Sequence, residues 1–155
     1  MPDPVPFTIR RLGPDDVEAM KLVNRLYCEV FDDPVAFETA PPSDDYLGRL
    51  LGRDGFAAMA AFQGDEPIGA LCAYRLDKYE QQRSEYYIYD LAVAEERRRK
   101  GVTTALIEAL GKVAADESAY VMYVQADHGD DPAIALYTKL GRREDVLHFD
   151  IDPAR

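Results

Sequence analysis

Two neighbouring stretches carry residues whose types and spacing could do chemistry. The first is Asp90, alone in the apolar and aromatic run Tyr86-Tyr-Ile-Tyr-Asp-Leu-Ala-Val93. A carboxylate inside such a run costs desolvation unless it is paired or put to use. One use is to accept the proton of a substrate ammonium, directly or through water. The plainer alternative is a rim aspartate paired with an arginine. The second stretch is the basic turn Arg97-Arg-Arg-Lys100, closed by Gly101 and followed by Val102, Leu106, Leu110 and Val113. Apolar residues three or four apart predict an amphipathic helix. A strand that turns through a glycine into a helix aims several unpaired N–H groups, and the positive end of the helix dipole, at one spot. Basic side chains at a helix start are unfavourable by about 0.3–1 kcal/mol each. Four in a row therefore point to an anion that rewards them, with a solvated charge run as the alternative. The spacing Gly-x-x-x-x-Gly-Lys-Ser/Thr is absent, and so are the second and third glycines of a dinucleotide fingerprint.

The elements that must position these residues follow from pattern and punctuation. Residues 1–6 hold three prolines and are expected to form a flexible arm, ahead of a single domain over residues 7–155. Phe7 to Leu12 predicts a first strand. Gly13-Pro14-Asp15-Asp16 predicts a helix start with proline in its first turn, and Asp32-Asp33-Pro34 ends that helix. An irregular acidic loop runs through Pro42, after which Ser43 caps a short helix to Leu51. Phe56 to Gln63 and Pro67 to Leu76 predict a hairpin turning at Gly64-Asp65-Glu66. Glu85 to Val93 is the central strand, and alternation puts Tyr86, Ile88 and Asp90 on one face. Ala119 to Ala126 is another strand. Asp131 caps a last helix with Pro132 at its first position, and Gly141 ends it. Val146 to Ile151 predicts a final strand. The fold class is α/β, with a mixed, mostly antiparallel sheet flanked by helices.

A chain of 155 residues with 47% hydrophobic residues suits one domain with a core of its own. The net charge of −11 disfavours nucleic acid and favours cationic partners. No apolar run approaches a membrane span, so a cytoplasmic protein is expected. Cys28 and Cys72 match no metal spacing and read as buried free thiols. The two histidines, His128 and His148, do not make a metal site; each could orient a carboxylate or serve as another base.

The turn resembles the acyl-CoA pyrophosphate loop of the GCN5-related N-acetyltransferase (GNAT) superfamily, which reads Arg/Gln-x-x-Gly-x-Gly/Ala after a strand like Leu91-Ala92-Val93. Arg98-Arg99-Lys100-Gly101-Val102-Thr103 matches it, with Thr103 in place of a small residue and offering a hydroxyl to a phosphate oxygen. The likeness extends in order through Tyr46-Leu-Gly48, Ser84-Glu85, Tyr87-Ile-Tyr-Asp-Leu-Ala-Val93, Tyr123-Val-Gln-Ala-Asp127, Asp130-Asp-Pro-Ala133 and His148-Phe-Asp-Ile-Asp-Pro153. Together these are similar to type I aminoglycoside 3-N-acetyltransferases, the gentamicin acetyltransferases that confer antibiotic resistance.

The resemblance implies acetyl-CoA as co-substrate and a central strand splayed from its parallel neighbour. Arg98, Arg99, Lys100, Gly101, Val102, Thr103 and Thr104 would hold the pyrophosphate, and Leu91, Ala92 and Val93 would meet the pantetheine arm. It also implies Asp90 as general base and Tyr137 as proton donor to the thiolate, although Tyr137 on its own residues reads as a core tyrosine. Acids suited to a polycation are Asp127, Asp130, Asp150 and Asp152, with Glu85 a weaker candidate. Asp150 and Asp152 alternate onto one face, and Asp131 is accounted for as a cap. No Ser, Cys or His constellation suggests a covalent acyl-enzyme, so direct transfer in a ternary complex is expected, without metal. Dimers are common in the resembled family, making a homodimer possible. The rival readings are acetylation of another polyamine or of a protein lysine, and a non-catalytic acyl-CoA-binding module.

Overall fold

Phe56-Ala-Ala-Met-Ala-Ala-Phe62 is apolar at every position, which suits a strand covered on both faces. A computed structural model, which describes residues 6–154, bears this out. The strands are β1 (Thr8–Arg11), β2 (Phe56–Gln63), β3 (Glu66–Asp77), β4 (Ser84–Val93) and β5 (Ala119–Val124), and they form one sheet in the order β1-β2-β3-β4-β5. Neighbours are antiparallel except β4 and β5, which are parallel. The helices are α1 (Val17–Phe31), α2 (Pro34–Glu38), α3 (Asp44–Leu51), α4 (Val102–Asp116) and α5 (Asp131–Leu140).

On one face of the sheet, Phe56, Ala58, Ala60 and Phe62 pack with Met20, Val23 and Tyr27 of α1 and Leu47 and Leu51 of α3. On the other, Ala57, Met59 and Ala61 pack with Val102, Leu106, Leu110 and Ala114 of α4. Both cysteines are buried free thiols. The α4 layer is also tied at its far end, where the Tyr86 hydroxyl donates to Glu117 and Arg75 bridges Asp54, Asp77 and Glu117.

Several expectations need correction. The expected alternation of β4 breaks, because Cys72 faces Asp90 while Ala73 faces Ile88, leaving Tyr89 as the extra residue of a β-bulge. Tyr86 and Ile88 belong to the α4 face, whereas Ala92 belongs to the α1 face. Asp90 therefore shares a face with Ala92 and Cys72, opposite to Tyr86 and Ile88. Pro14 lies in a turn ahead of α1, where Asp16 accepts from the Gly13 N–H and from Arg10. The acidic loop contains α2, with Pro34 in its first turn and Asp33 accepting from the Ala36 N–H. A single 3-10 turn, Glu95–Arg97, precedes the basic residues.

The chain falls into two compact units, one ending at Val124 and one beginning at Gln125. The second holds α5, whose cap is Asp130 and not Asp131: the Asp130 carboxylate accepts from the Ala133 N–H. Gly141 follows Leu140 as expected, with extended backbone. Val146 to Ile151 forms no strand among the described residues. A strand needs a neighbour for its backbone groups as well as a pattern of side chains. Leu147, Phe149 and Ile151 are accordingly 83%, 74% and 86% exposed. Of the expected N-terminal arm, residues 1–5 lie outside the described residues.

Candidate active site

The ladder between β4 and β5 runs from Ser84↔Ala119 to Ile88↔Val124 and stops, while β4 continues to Val93. From Tyr89 to Val93 the edge of β4 thus has no β5 partner, and the two parallel strands part at the bulge. Leu91 and Val93 remain packed towards α4 and Ala92 towards α1. Main-chain groups freed in this way can serve an extended ligand arm laid along the strand.

Asp90 sits where the strands part. Its carboxylate is half-buried, and burial pushes its pKa above the ordinary aspartate value. Among the described residues it has no hydrogen-bond donor or cationic partner, so the rim-aspartate alternative fails. Behind it lies buried Cys72, to which the buried Tyr27 hydroxyl donates over 3.4 Å. Burial pushes the Cys72 thiol up to about 12, so it stays neutral and leaves Asp90 as the charge here. Beside Asp90 runs an aromatic ribbon: Phe56 to Tyr74 at 5.2 Å, Tyr74 to Tyr89 at 6.0 Å, Tyr89 to Tyr87 at 5.7 Å, and Tyr87 stacked on Tyr123 at 4.7 Å. Tyr89 is 62% exposed. Such rings can receive a cation over their faces. Sequence reasoning missed the ribbon, because only the bulge and the register bring these tyrosines into one row.

At the end of the same strand, the basic turn has the backbone of an anion cradle. Arg99 and Gly101 both adopt left-handed conformations, with φ of 63° and 80°. Gly101 precedes α4 and offers no side-chain cap. Among the described residues, the first amide after Arg98 bonded to a backbone acceptor outside the helix ladder is that of Ala105, to the Gly101 carbonyl at 3.0 Å. The N–H groups of Val102, Thr103 and Thr104 fall in the first helical turn, which has no internal acceptors. Two of the four basic side chains have structural work: Arg97 donates to Gln63 and Arg98 to the Val93 carbonyl. Arg99 and Lys100 are exposed. The turn suits a pyrophosphate held through amides and supplemented by guanidinium and ammonium charge.

Glu85 lies on the ladder-paired part of β4 and accepts from the Tyr120 hydroxyl, with Lys78 3.8 Å away. Its charge is already engaged. In the unit from Gln125, Tyr137 is half-buried on α5, and burial followed by the Asp130 charge pushes its phenol pKa up, so it carries its proton near neutral pH. Asp130 is the α5 cap, Asp150 pairs with His148 at 2.9 Å, and Asp127 and Asp152 are exposed. Among the described residues no cluster of His, Cys, Asp and Glu could hold a metal ion, and no helix is long and apolar enough to cross a membrane. Two surface recesses, of about 500 Å³ beside Arg11 and Arg53 and about 340 Å³ beside Arg10 and Phe62, touch none of these groups.

A mixed sheet that splays at a bulge, a carboxylate at the parting and an anion cradle beyond it define an acyl-CoA-dependent acyltransferase architecture. The chain belongs to the acetyltransferase (GNAT) family, which it matches over residues 21–141. An aminoglycoside acetyltransferase, HMB0005, from an uncultured soil metagenomic sample is 47% identical, with a TM-score of 0.93 over 96% of this chain and 99% of its own. Another from such a sample, meta-AAC0020, solved in complex with sisomicin, is 28% identical with a TM-score of 0.87 over 96% of this chain and 97% of its own. An N-alpha-acetyltransferase of Saccharolobus solfataricus is 29% identical over 143 residues, 86% of this chain and 78% of that protein.

Proposed function

We propose that this protein transfers an acetyl group from acetyl-CoA to an amine of an aminoglycoside, at the 3-amino position, by direct attack in a ternary complex. The observation that carries the reading is the bulge. It turns an unpaired, half-buried carboxylate out of the strand that leads directly into the anion cradle. The likeness to aminoglycoside acetyltransferases supports the acceptor class. In this reading Arg98 to Thr104 hold the pyrophosphate and Leu91 to Val93 receive the pantetheine arm. Asp90 takes the ammonium proton, directly or through water, and the freed amine attacks the thioester carbon. The C–N bond forms, the C–S bond breaks, Tyr137 gives its proton to the leaving thiolate, and the second proton shed by the nitrogen as it becomes an amide restores the phenol. The aromatic ribbon receives further ammonium groups of the acceptor. In the unit from Gln125, Asp127, Asp150 and Asp152 are the acids suited to a polycation. Antibiotic resistance of a host that carries the enzyme in its cytoplasm follows from the activity.

The likeness to an N-alpha-acetyltransferase supports a second reading, a protein amine as acceptor. Thiol release from acetyl-CoA, measured with gentamicin, kanamycin, spermidine and a peptide carrying a free N-terminus and a lysine, separates the two. Turnover is expected with gentamicin, with the acetyl group located on the 3-amine by product NMR. Turnover with the peptide alone would replace the acceptor, and product acetylated at another amine would correct the position.

A further inference from the structure

The start of α4 lies close against the sheet, where Val102 packs on Val93, and β3 carries a residue that makes room for it. Gly69 is buried near the start of β3, opposite Val93 of β4. A Cβ at this position would lie 2.8 Å from Val102 Cγ1, 3.2 Å from Val93 Cγ2 and 3.3 Å from the Ala92 carbonyl oxygen. Real Cβ atoms do not approach carbon that closely, so something would have to move. Val102 is the first residue of α4 and is 2% exposed. The Ala92 carbonyl is main chain within the β3–β4 ladder and cannot yield without breaking it. The contact that must yield first is Val102, the residue that begins α4. Gly69 does not have a left-handed backbone, so what the position requires is space, in contrast to Gly101, where an added Cβ meets nothing and only φ demands glycine.

We propose that Gly69 is a positioning residue for the acyl-CoA pyrophosphate. By omitting a side chain it seats Val102 on the sheet, and so fixes the amides of Val102 to Thr104 relative to the end of β4. The inference rests on the reading that the turn before α4 holds the pyrophosphate. Dipole and amide contacts decay within one helical turn, and a displacement of about 1 Å is enough to cost a large factor in a positioned interaction.

The test is calorimetric binding of CoA to Gly69→Ala, together with turnover of S-acetylpantetheine, which has the thioester arm but no pyrophosphate. The variant is expected to bind CoA roughly tenfold more weakly while its kcat/KM with S-acetylpantetheine falls by a clearly smaller factor. Gly69→Ala/Val102→Ala, which removes the colliding methyl groups and keeps the Val102 amide, is expected to bind CoA more tightly than Gly69→Ala does. Unchanged CoA affinity in Gly69→Ala, or equal losses with acetyl-CoA and S-acetylpantetheine, would overturn the proposal. If Gly69→Ala does not fold, the double variant decides: recovery of folding together with CoA binding supports the proposal, and failure to fold or to bind overturns it. Parental protein that binds no CoA would instead overturn the reading of the turn, and the proposal with it.

Discussion

Asp90 carries a cost in the fold that its proposed chemistry explains. Burial raises its pKa, so the folded state holds the proton more tightly than the unfolded chain does. Stability therefore falls as pH rises through the window between the ordinary aspartate value, about 3.9, and the raised one, and the penalty is complete above it. Asp90→Asn is expected to raise the melting temperature at pH 7, with the advantage vanishing below about pH 4. The same variant should lower kcat by about 10²–10⁴-fold while leaving CoA binding at the parental level. Melting curves across pH and steady-state rates check both halves, and retained turnover would remove Asp90 from the role of base. Tyr137 is a neutral phenol in a half-buried setting, as a proton donor must be. A thiolate is a far better leaving group than an alkoxide or amide, so Tyr137→Phe should slow turnover by only about tenfold. An unchanged rate would return Tyr137 to a packing role. Asp90 and Tyr137 were both legible as residues, Asp90 from its oddity in an apolar strand and Tyr137 only through family likeness.

At the scale of elements, the turn before α4 was readable because its signals are local: a basic run, a glycine and a period of three to four. Its positive-φ glycine gives a direct prediction. Gly101→Ala should cost about 1–2 kcal/mol of stability, because the left-handed backbone at 80° is strained for a residue with a Cβ although the space is open. Denaturant unfolding measures that cost, and the KM for acetyl-CoA should rise with it. A stable variant with parental KM would show that the loop re-forms without glycine. The bulge at Tyr89 was not readable. Tyr87-Ile-Tyr89 contains no glycine or proline, and the extra residue exists only relative to the register of β3. The caps show the same limit more mildly: Asp130 and Asp131 are chemically equal, and only helix phase makes the first one the acceptor of the Ala133 N–H.

For the whole molecule, a net charge of −11 should draw a polycation by a long-range field. Raising salt from about 0.01 to 0.1 M shortens the screening length from about 30 to 10 Å. The KM for an aminoglycoside should accordingly rise several-fold over that range, while the KM for uncharged S-acetylpantetheine stays flat. A salt-independent aminoglycoside KM would mean that contact charges alone hold the acceptor. In the unit from Gln125, His148 pairs with Asp150 while Leu147, Phe149 and Ile151 are exposed, and this segment joins no sheet ladder among the described residues.

The sequence by itself determined the order of the five strands and of every helix but α2, both covered faces of β2, the basic turn and the buried thiols, since each follows from local pattern or composition. Tertiary structure alone decided which face Asp90 occupies, where β4 and β5 part, which tyrosines form a row, why β3 needs Gly69, and that Val146 to Ile151 is not a strand. Those features depend on register and close approach between segments distant in the chain, and no window of neighbouring residues contains that information.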